Sequence, residues 1–252
     1  MIVSSHGAVS SRHIGVLFAL PEEAAPFLRL PVPDGVRLSV EISGIGTANA
    51  ATAACKILAQ NPDCLIICGF GGGLGYQQAG DLMVVHSVLD CTENAASPQV
   101  YCPDELLLKA ANRIPWRLLC GTLATTSRVL ITKQEKATLY AQTEANAVDM
   151  ETAGAAEIAQ KAGVPWIAVR ALTDGAFDDL PFDFNQFVAN GQTDRNAVIR
   201  ATLKNPLKIP ALIRLGIRSS HAAKLLAAFL SAYIPAVIRT TGNTGNTGEE
   251  TP

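Results

Sequence analysis

Two acidic residues stand where the chain passes from a short apolar segment, residues 145–148, into a helical pattern. At the end of a strand the carboxylate of Glu151 would point out of the sheet, where it could accept hydrogen bonds from two adjacent sugar hydroxyls. Asp149 and Glu151 are equally suited to capping a helix, because acidic side chains stabilise a helix N-terminus. On these residues alone both interpretations stay open.

Acidic residues also follow two other predicted strands. Asp174 ends the strongly apolar segment 166–172, and a carboxyl group there is costly to bury without a partner. A protonated Asp174 could donate to N7 of a purine as a general acid, whereas an ordinary turn aspartate is the alternative. Glu22 and Glu23 follow the first strand. One of them could activate a water molecule, or both could simply be solvated.

Two glycine-bearing segments, residues 43–46 and 69–73, are predicted to follow strands and to precede a helix or turn. Free backbone N–H groups in such segments can bind an anion or a sugar hydroxyl. Neither segment matches a Walker A loop or a dinucleotide-binding GxGxxG motif. Together they predict a ligand site at the carboxyl ends of neighbouring strands, with ordinary turn glycines as the alternative for each alone.

The elements that must position these residues alternate between strand-like and helix-like patterns, which indicates an α/β fold. Strands are predicted at residues 14–20, 36–42, 64–68, 81–89, 117–126, 145–148 and 166–172. Helices are predicted at residues 47–60, 103–111, 151–162, 211–218 and 221–233.

Composition agrees with a globular protein. Of 252 residues, 48% are hydrophobic and 17% are charged, which excludes a disordered chain. No segment reads as a secretory signal or as an uninterrupted apolar membrane span. The six cysteines form no CxxC pair and have no zinc spacing with the four histidines. We therefore expect reduced thiols, no metal site and a cytoplasmic protein.

The sequence predicts four parts: a flexible leader at residues 1–13, a single domain at 14–205, a basic, apolar helical appendage at 206–239 and a disordered tail at 240–252. Residues 195–248 hold eight Lys or Arg and no acid, whereas residues 1–194 are acidic. An apolar stripe at Leu225, Leu226, Phe229, Leu230 and Tyr233 has helical spacing. The appendage would either contact an anionic membrane at the inner face or pack on the domain.

The combined motifs resemble the nucleoside phosphorylase/nucleosidase superfamily, and within it the methylthioadenosine/S-adenosylhomocysteine nucleosidase branch. The resemblance covers residues 14–200. Its most specific parts are residues 148–153 (VDMETA) and 164–174 (VPWIAVRALTD), and residues 43–51 (SGIGTANAA) and 69–74 (GFGGGL) support it. It implies a three-layer α/β fold with a mixed, partly barrel-like central sheet.

The resemblance implies cleavage of the N-glycosidic bond of a purine nucleoside through an oxocarbenium-like ribosyl cation. Glu151 would bind the ribose 2′- and 3′-hydroxyls, and Met150 would pack on the sugar. Asp174, assisted by Thr173, would be the general acid at the base, and Glu23 would activate water. Val129 and Leu130 fall in the base-stacking loop. The family needs no metal or redox cofactor, and its members form homodimers or larger assemblies.

Two departures leave the nucleophile open. Ile67 stands where phosphorylases have a phosphate-binding arginine, and Phe70 stands where the nucleosidases have a serine. The attacking group is either water activated by Glu23 or phosphate, as a co-substrate, held by backbone donors of Gly46, Gly71, Gly72 and Gly73.

The basic, proline-punctuated segment from Pro206 is similar to that of the hopanoid-associated phosphorylases. That resemblance implies release of adenine from adenosylhopane, a membrane-embedded nucleoside, and an ordinary methylthioadenosine/S-adenosylhomocysteine nucleosidase is the enzymatic alternative. A non-catalytic protein that binds nucleosides or a membrane surface is disfavoured by the two acids Glu151 and Asp174. Nucleic acid binding is disfavoured because the basic segment has few aromatic residues.

Overall fold

The computed structural model describes residues 12–92, 98–189, 192–193, 200–201 and 204–242. Its strands are β1 (Arg12–Phe18), β2 (Val36–Ile42), β3 (Cys64–Gly73), β4 (Leu82–Asp90), β5 (Gln99–Tyr101), β6 (Leu119–Thr125), β7 (Ala147–Asp149), β8 (Trp166–Asp174), β9 (Val188–Ala189) and β10 (Gln192–Thr193). Its α-helices are α1 (Pro21–Ala24), α2 (Thr47–Leu58), α3 (Glu105–Asn112), α4 (Lys133–Thr143), α5 (Thr152–Lys161) and α6 (Ile209–Gly242). Short 3₁₀ helices lie at Phe27–Arg29, Phe184–Phe187 and Pro206–Lys208.

Five strands close on themselves. β3, β7, β6 and β4 are neighbours in the sheet, and β8 pairs with both β3 and β4, which completes the ring. The ring is mixed, since β3 is parallel to β8 but antiparallel to β7. β1 and β2 extend it in parallel beyond β3, and β5 adds an antiparallel strand to β4. This confirms the predicted mixed, partly barrel-like sheet.

Helices cover the sheet on two sides, which confirms the predicted three layers. On one side α2 and α5 bury alanines against Leu65, Ile67 and Trp166. On the other side α3 and α6 pack on Ile66, Val169 and neighbouring strand residues. Every residue of β8 is buried, because the strand has a neighbour on both edges and helices on its faces. Apart from Arg170, the apolar sequence of residues 166–172 is typical of such a position.

Helix α6 differs from the prediction of two helices in an appendage. It runs unbroken for 34 residues, and its C-terminal half buries Leu226, Phe229, Leu230 and Tyr233 in the main core. The Tyr233 hydroxyl donates to the carbonyl of Leu107 at 2.9 Å. By length and composition the segment could cross a membrane, but 56% of its most apolar window is buried inside the protein. The predicted apolar stripe thus closes the core.

The structure corrects three further predictions, on the leader, the second glycine segment and the tail, and it shows one α-helix that was not predicted. β1 begins at Arg12, so the last two residues of the predicted leader belong to the sheet, while residues 1–11 lie outside the described part. The glycine segment 69–73 lies inside β3 rather than in a loop after it. Helix α4 was not predicted, because its polar residues hide the helical period. Residues 240–242 of the predicted disordered tail are the last residues of α6, which corrects that prediction, and the rest of the tail lies outside the described residues.

Candidate functional site

The chain forms a cavity of about 320 Å³ where the ends of β1, β3, β7 and β8 meet. Ten of the eleven predicted site residues line it, namely Glu23, Phe70, Gly71, Gly72, Val129, Leu130, Met150, Glu151, Thr173 and Asp174. The eleventh, Gly46, contacts the lining residue Glu151 through its backbone. Segments that are far apart in the sequence therefore meet at one place, as the motif pattern predicted.

Glu23 lies in the first turn after β1, and its carboxylate is held by backbone donors. Its Oε2 accepts hydrogen bonds from the N–H groups of Ala19 and Leu20, both at 2.9 Å, and its Oε1 accepts one from Phe70 at 2.8 Å. Only 2% of Glu23 is exposed. Burial raises the pKa of Glu23 above 4.5, and the backbone donors partly oppose that rise. Such a group is a stronger base than an exposed glutamate, which suits it to accepting a proton.

Gly69 explains how Glu23 can approach β3 so closely. A Cβ atom at this position would lie 3.1 Å from Oε1 of Glu23 and 2.8 Å from Nη1 of Arg170. The glycine segment of β3 therefore makes room for buried charged groups. This corrects the expectation of a loop with free backbone donors.

Glu151 lies between β7 and α5. Its Oε1 accepts a hydrogen bond from the N–H of Gly46 at 2.9 Å, and its Oε2 accepts one from Met150 at 3.2 Å. Gly46 has φ +100°, a conformation that side chains disfavour, so glycine is needed to present this N–H. Burial, with a contribution from neighbouring Asp149, raises the pKa of Glu151. The carboxylate is thus buried but still presents lone pairs to the cavity.

A buried ion pair beneath the cavity was not predicted. Oδ2 of Asp149 accepts hydrogen bonds from Nη2 of Arg170 at 2.7 Å, Nε at 3.1 Å and the N–H of Thr152 at 3.0 Å. Oδ1 accepts from the hydroxyl of Thr125 at 2.7 Å. The capping interpretation of Asp149 is therefore part of its role. An arginine inside an otherwise apolar strand was the available signal for a buried acidic partner.

Asp174 ends β8 and bonds to two side chains. Its Oδ1 accepts a hydrogen bond from the hydroxyl of Thr173 at 3.0 Å. Its Oδ2 pairs with the ammonium group of Lys136, which comes from α4 and lines the cavity. The sequence pattern did not predict Lys136, because it did not predict the helix that carries this residue.

Apolar side chains form the rest of the cavity wall. Phe70, Val129, Leu130 and Met150 were predicted there. The structure adds further apolar residues from three other segments, namely Ile45, Leu180, Phe184 and Leu215. The amide of Asn185 exchanges hydrogen bonds with the backbone of Val129 at 2.8 and 3.0 Å, which fixes this wall. A flat apolar ligand with a polar edge, and a polyhydroxyl group near Glu151, would be complemented by such a cavity.

Comparisons with known proteins agree with this architecture. The family model described as phosphorylase superfamily matches residues 13–204. A 5′-methylthioadenosine/S-adenosylhomocysteine nucleosidase of Geobacillus kaustophilus is 32% identical over 174 residues, which cover 62% of this chain and 74% of the relative. The same-named protein of Shewanella halifaxensis is 26% identical over 68% of this chain and 82% of its own length.

Solved structures of two Helicobacter pylori proteins share the fold of this chain. Its 5′-methylthioadenosine/S-adenosylhomocysteine nucleosidase superposes with a TM-score of 0.70 at 20% identity, covering 90% of this chain and 99% of that one. A futalosine hydrolase mutant superposes with a TM-score of 0.68 at 21% identity, covering 89% and 99%. The family model matches most of the chain, and the relative from Geobacillus kaustophilus is more than 30% identical over most of its own length. The protein therefore belongs to the phosphorylase superfamily, in its nucleoside phosphorylase/nucleosidase group.

Proposed function

We propose that the protein is an enzyme that hydrolyses the N-glycosidic bond of a purine nucleoside, with adenine as the departing base. The observation that carries this proposal is the convergence of three buried carboxyl groups, those of Glu23, Glu151 and Asp174, on one largely apolar cavity. Relatives named nucleosidases support it, as do solved neighbours named nucleosidase and futalosine hydrolase.

The mechanism assigns each carboxyl group one step. Glu151 binds the ribose 2′- and 3′-hydroxyls and faces the positive charge of the oxocarbenium-like transition state. As the bond between C1′ and N9 breaks, its electron pair enters the purine ring and N7 takes a proton from Asp174. The oxygen of a water molecule then bonds to C1′, and Glu23 accepts the proton that the water loses. Met150 packs on the sugar, Thr173 orients Asp174, and Val129 and Leu130 flank the base.

Electrostatics favours water over phosphate as the nucleophile. Of the cavity-lining residues that the structure describes, only Arg128 and Lys136 are cationic. Arg128 pairs with Glu135 at 2.6 Å, and Lys136 pairs with Asp174. A phosphate ion would meet the carboxylates of Glu23 and Glu151 without a free cation to offset their charge. We therefore propose water as the only co-substrate, and the family resemblance implies no metal or redox cofactor.

Adenine release from purified protein tests the proposal. Methylthioadenosine and adenosine are the two soluble substrates, and guanosine is the control for the base. We expect release from one or both adenine nucleosides, and loss of release in the variant Glu23→Gln. Absence of base release from every nucleoside would overturn the proposed activity.

A finer substrate is adenosylhopane, whose 5′ group is a large apolar polycycle. Two observations favour it. Leu180, Phe184 and Leu215 give one side of the cavity an apolar wall. Leu215 lies on the N-terminal half of α6, where Ile213 is 57% and Ile217 is 65% exposed. An apolar group leaving the cavity past Leu215 would meet this surface. A kcat/KM for adenosylhopane above that for methylthioadenosine is the expected result.

The same half of α6 suits an anionic membrane, and we propose that the enzyme works in the cytoplasm at the inner membrane face. Ile213, Ile217 and the cation Arg214 are exposed on α6, and Leu207 and Lys208 are exposed on the short 3₁₀ helix that precedes it. No acidic residue occurs between positions 195 and 248. Cations near an anionic leaflet contribute roughly 1 kcal/mol each, screened by salt, and inserted apolar side chains add to that.

Vesicle sedimentation tests the membrane contact. We expect the protein to bind vesicles containing phosphatidylglycerol at low salt, and to bind phosphatidylcholine vesicles weakly. Ile213→Ser combined with Ile217→Ser should abolish binding, while the control Val100→Ser, an exposed apolar residue of β5, should not. Equal binding by the double variant, or a change of its oligomeric state instead, would contradict the proposal. We expect both the wild-type protein and the double variant to be homo-oligomers, and light scattering measures the oligomeric state.

A further inference from the structure

Lys136 is the most deeply buried ammonium group among the described residues, with 1% of the residue exposed. It lies in the first turns of α4. Thr132 and Glu135 form a capping box at the start of this helix, with Oε2 of Glu135 accepting from the N–H of Thr132 at 2.9 Å. The cap fixes the position of the backbone that carries the lysine. Its side chain reaches inward to the floor of the cavity.

All three protons of this ammonium have acceptors in one turn. Besides the carboxylate of Asp174, the ammonium donates to the carbonyls of Gly175 at 2.8 Å and Asp178 at 3.0 Å. An ammonium that is buried without partners is costly, whereas this one has one anion and two dipoles. Lys136 therefore holds the segment from Asp174 to Asp178 in one conformation and puts a positive charge next to Asp174.

That charge matters for the step at the base. When a proton passes from Asp174 to N7, the O–H bond breaks and a carboxylate remains in a cavity that excludes most water. A fixed cation beside the new carboxylate stabilises it more than the neutral acid, so it favours the transfer. Because the carboxylate of Asp174 pairs with Lys136, the balance requires that Asp174 takes up a proton from solvent as the nucleoside binds. That proton then passes to N7, the carboxylate of Asp174 is restored, and Lys136 keeps all three of its own protons.

We propose that Lys136 is a positioning residue for base departure, acting through Asp174. It holds the carboxyl group at the cavity floor and stabilises the carboxylate that forms as the purine leaves. This inference rests on the proposed nucleoside hydrolysis. It goes further by assigning the proton-transfer step a second residue, on a helix that none of the recognised motifs includes.

The proposal predicts a dependence on the leaving group. In Lys136→Met, kcat for an adenine nucleoside should fall about 10²-fold or more, as for removal of other preorganised electrostatic groups, with KM changed less than about threefold. A riboside whose leaving group needs no proton, such as 4-nitrophenyl riboside, should be cleaved within about fivefold of the wild-type rate. Misfolding would lower both rates together, so the ratio of the two rates separates the roles.

Two further variants sharpen the test. Lys133→Met removes an exposed lysine from the same helix and should change neither rate. If Lys136 acts through Asp174, the double variant Lys136→Met with Asp174→Asn should be no slower than Asp174→Asn alone. Should Lys136→Met be insoluble, Lys136→Gln, which keeps a donor for the carbonyls, is measured in the same way.

The outcomes distinguish the two hypotheses. Wild-type protein without base release would contradict the proposed function itself. If the wild-type protein is active, the role of Lys136 would be overturned by lysine variants that lose activity on both substrates to the same extent. The role would also be overturned if the lysine variants cleave the adenine nucleoside at the wild-type rate, or if the double variant is slower than Asp174→Asn alone.

Discussion

The carboxylates of Glu23 and Glu151 are held by backbone N–H groups before any substrate arrives. Glu23 has three such donors and Glu151 has two. Fixed donors keep a buried carboxylate in one orientation without adding a compensating positive charge. The groups that would face the ribosyl cation therefore need little reorganisation during the reaction, which is the arrangement that electrostatic catalysis requires.

Removing the charge of Glu151 or the proton of Asp174 should slow base release. Glu151→Gln and Asp174→Asn keep the size of each side chain, so the loss reports chemistry rather than packing. We expect each to lower kcat by about 10²-fold or more, which is roughly 3 kcal/mol of transition-state stabilisation. Adenine release followed by ultraviolet absorbance measures this. Rates within a few-fold of wild type would show that these residues have other roles.

The buried carboxylates also predict the pH dependence. Burial raises the pKa of both Glu23 and Glu151 above the ordinary 4.5. A base must be ionised to accept a proton, so activity is lost as pH falls through the raised values rather than near 4.5. The acid limb of kcat/KM should therefore lie well above pH 4.5. A profile that stays flat down to pH 4.5 would contradict the assignment of Glu23 as the base.

The ion pair between Asp149 and Arg170 should stabilise the fold as well as the site. Arg170→Met leaves Asp149 buried without its partner, so we expect a loss of about 3–5 kcal/mol in the free energy of unfolding. Urea denaturation measures it. Arg37→Met on β2, an exposed arginine, is the matched control and should change stability by less than about 0.5 kcal/mol. Equal effects of the two substitutions would show that the pair contributes nothing specific.

Which site residues could be predicted depended on where they lie in the sequence. Glu151 and Asp174 occur in contiguous motifs beside strand ends, and Glu23 follows a clear strand, so type and spacing identified them. Lys136 lies on a helix that has polar residues on all sides, and it bonds to Asp174, which is 38 positions further along the chain. Neither feature is visible in a sequence pattern.

Helix α6 is a second case in which the sequence pattern did not reveal the contacts that a segment makes. Its apolar stripe and its cations were both predicted, but a stripe that docks on a membrane and one that closes a core have the same periodicity. The neighbours decide between them, and Phe229 stacks on Tyr233 and packs against Trp116 within the core. A chain that ends before α6 should therefore fail to fold, whereas the exposed half of the helix tolerates substitution.

The close contact between helices α2 and α5 predicts how a glycine substitution there changes stability. A Cβ at Gly154 of α5 would lie 2.2 Å from the carbonyl oxygen of Thr47, which backbone cannot accommodate without moving. We expect Gly154→Ala to lower the free energy of unfolding by at least about 1–3 kcal/mol, through overpacking. In α6, Gly216 has open space around it, so Gly216→Ala should raise stability by up to about 1 kcal/mol. Thermal unfolding of the two variants should shift in opposite directions, and shifts in the same direction would contradict this packing.

For the whole molecule, the closed ring of five strands explains why distant motifs form one site. β3 and β8 run in parallel at the centre and bring Phe70 and Asp174 to the same end, while β7 adds Asp149 and the adjoining Glu151. The fold class followed from the alternation of strands and helices and from the family resemblance. The barrel-like closure was expected from the family resemblance alone, because which strands pair depends on contacts between distant segments.

The identity of the sugar product decides whether water or phosphate attacks C1′ of the bound nucleoside. Purified protein is incubated with the adenine nucleoside that it cleaves fastest, with and without inorganic phosphate, and the products are measured by mass spectrometry. Water activated by Glu23 predicts adenine and the free 5-substituted ribose, at a rate that phosphate does not change. A ribose 1-phosphate product that depends on added phosphate would contradict the hydrolytic account, and so would the absence of adenine release.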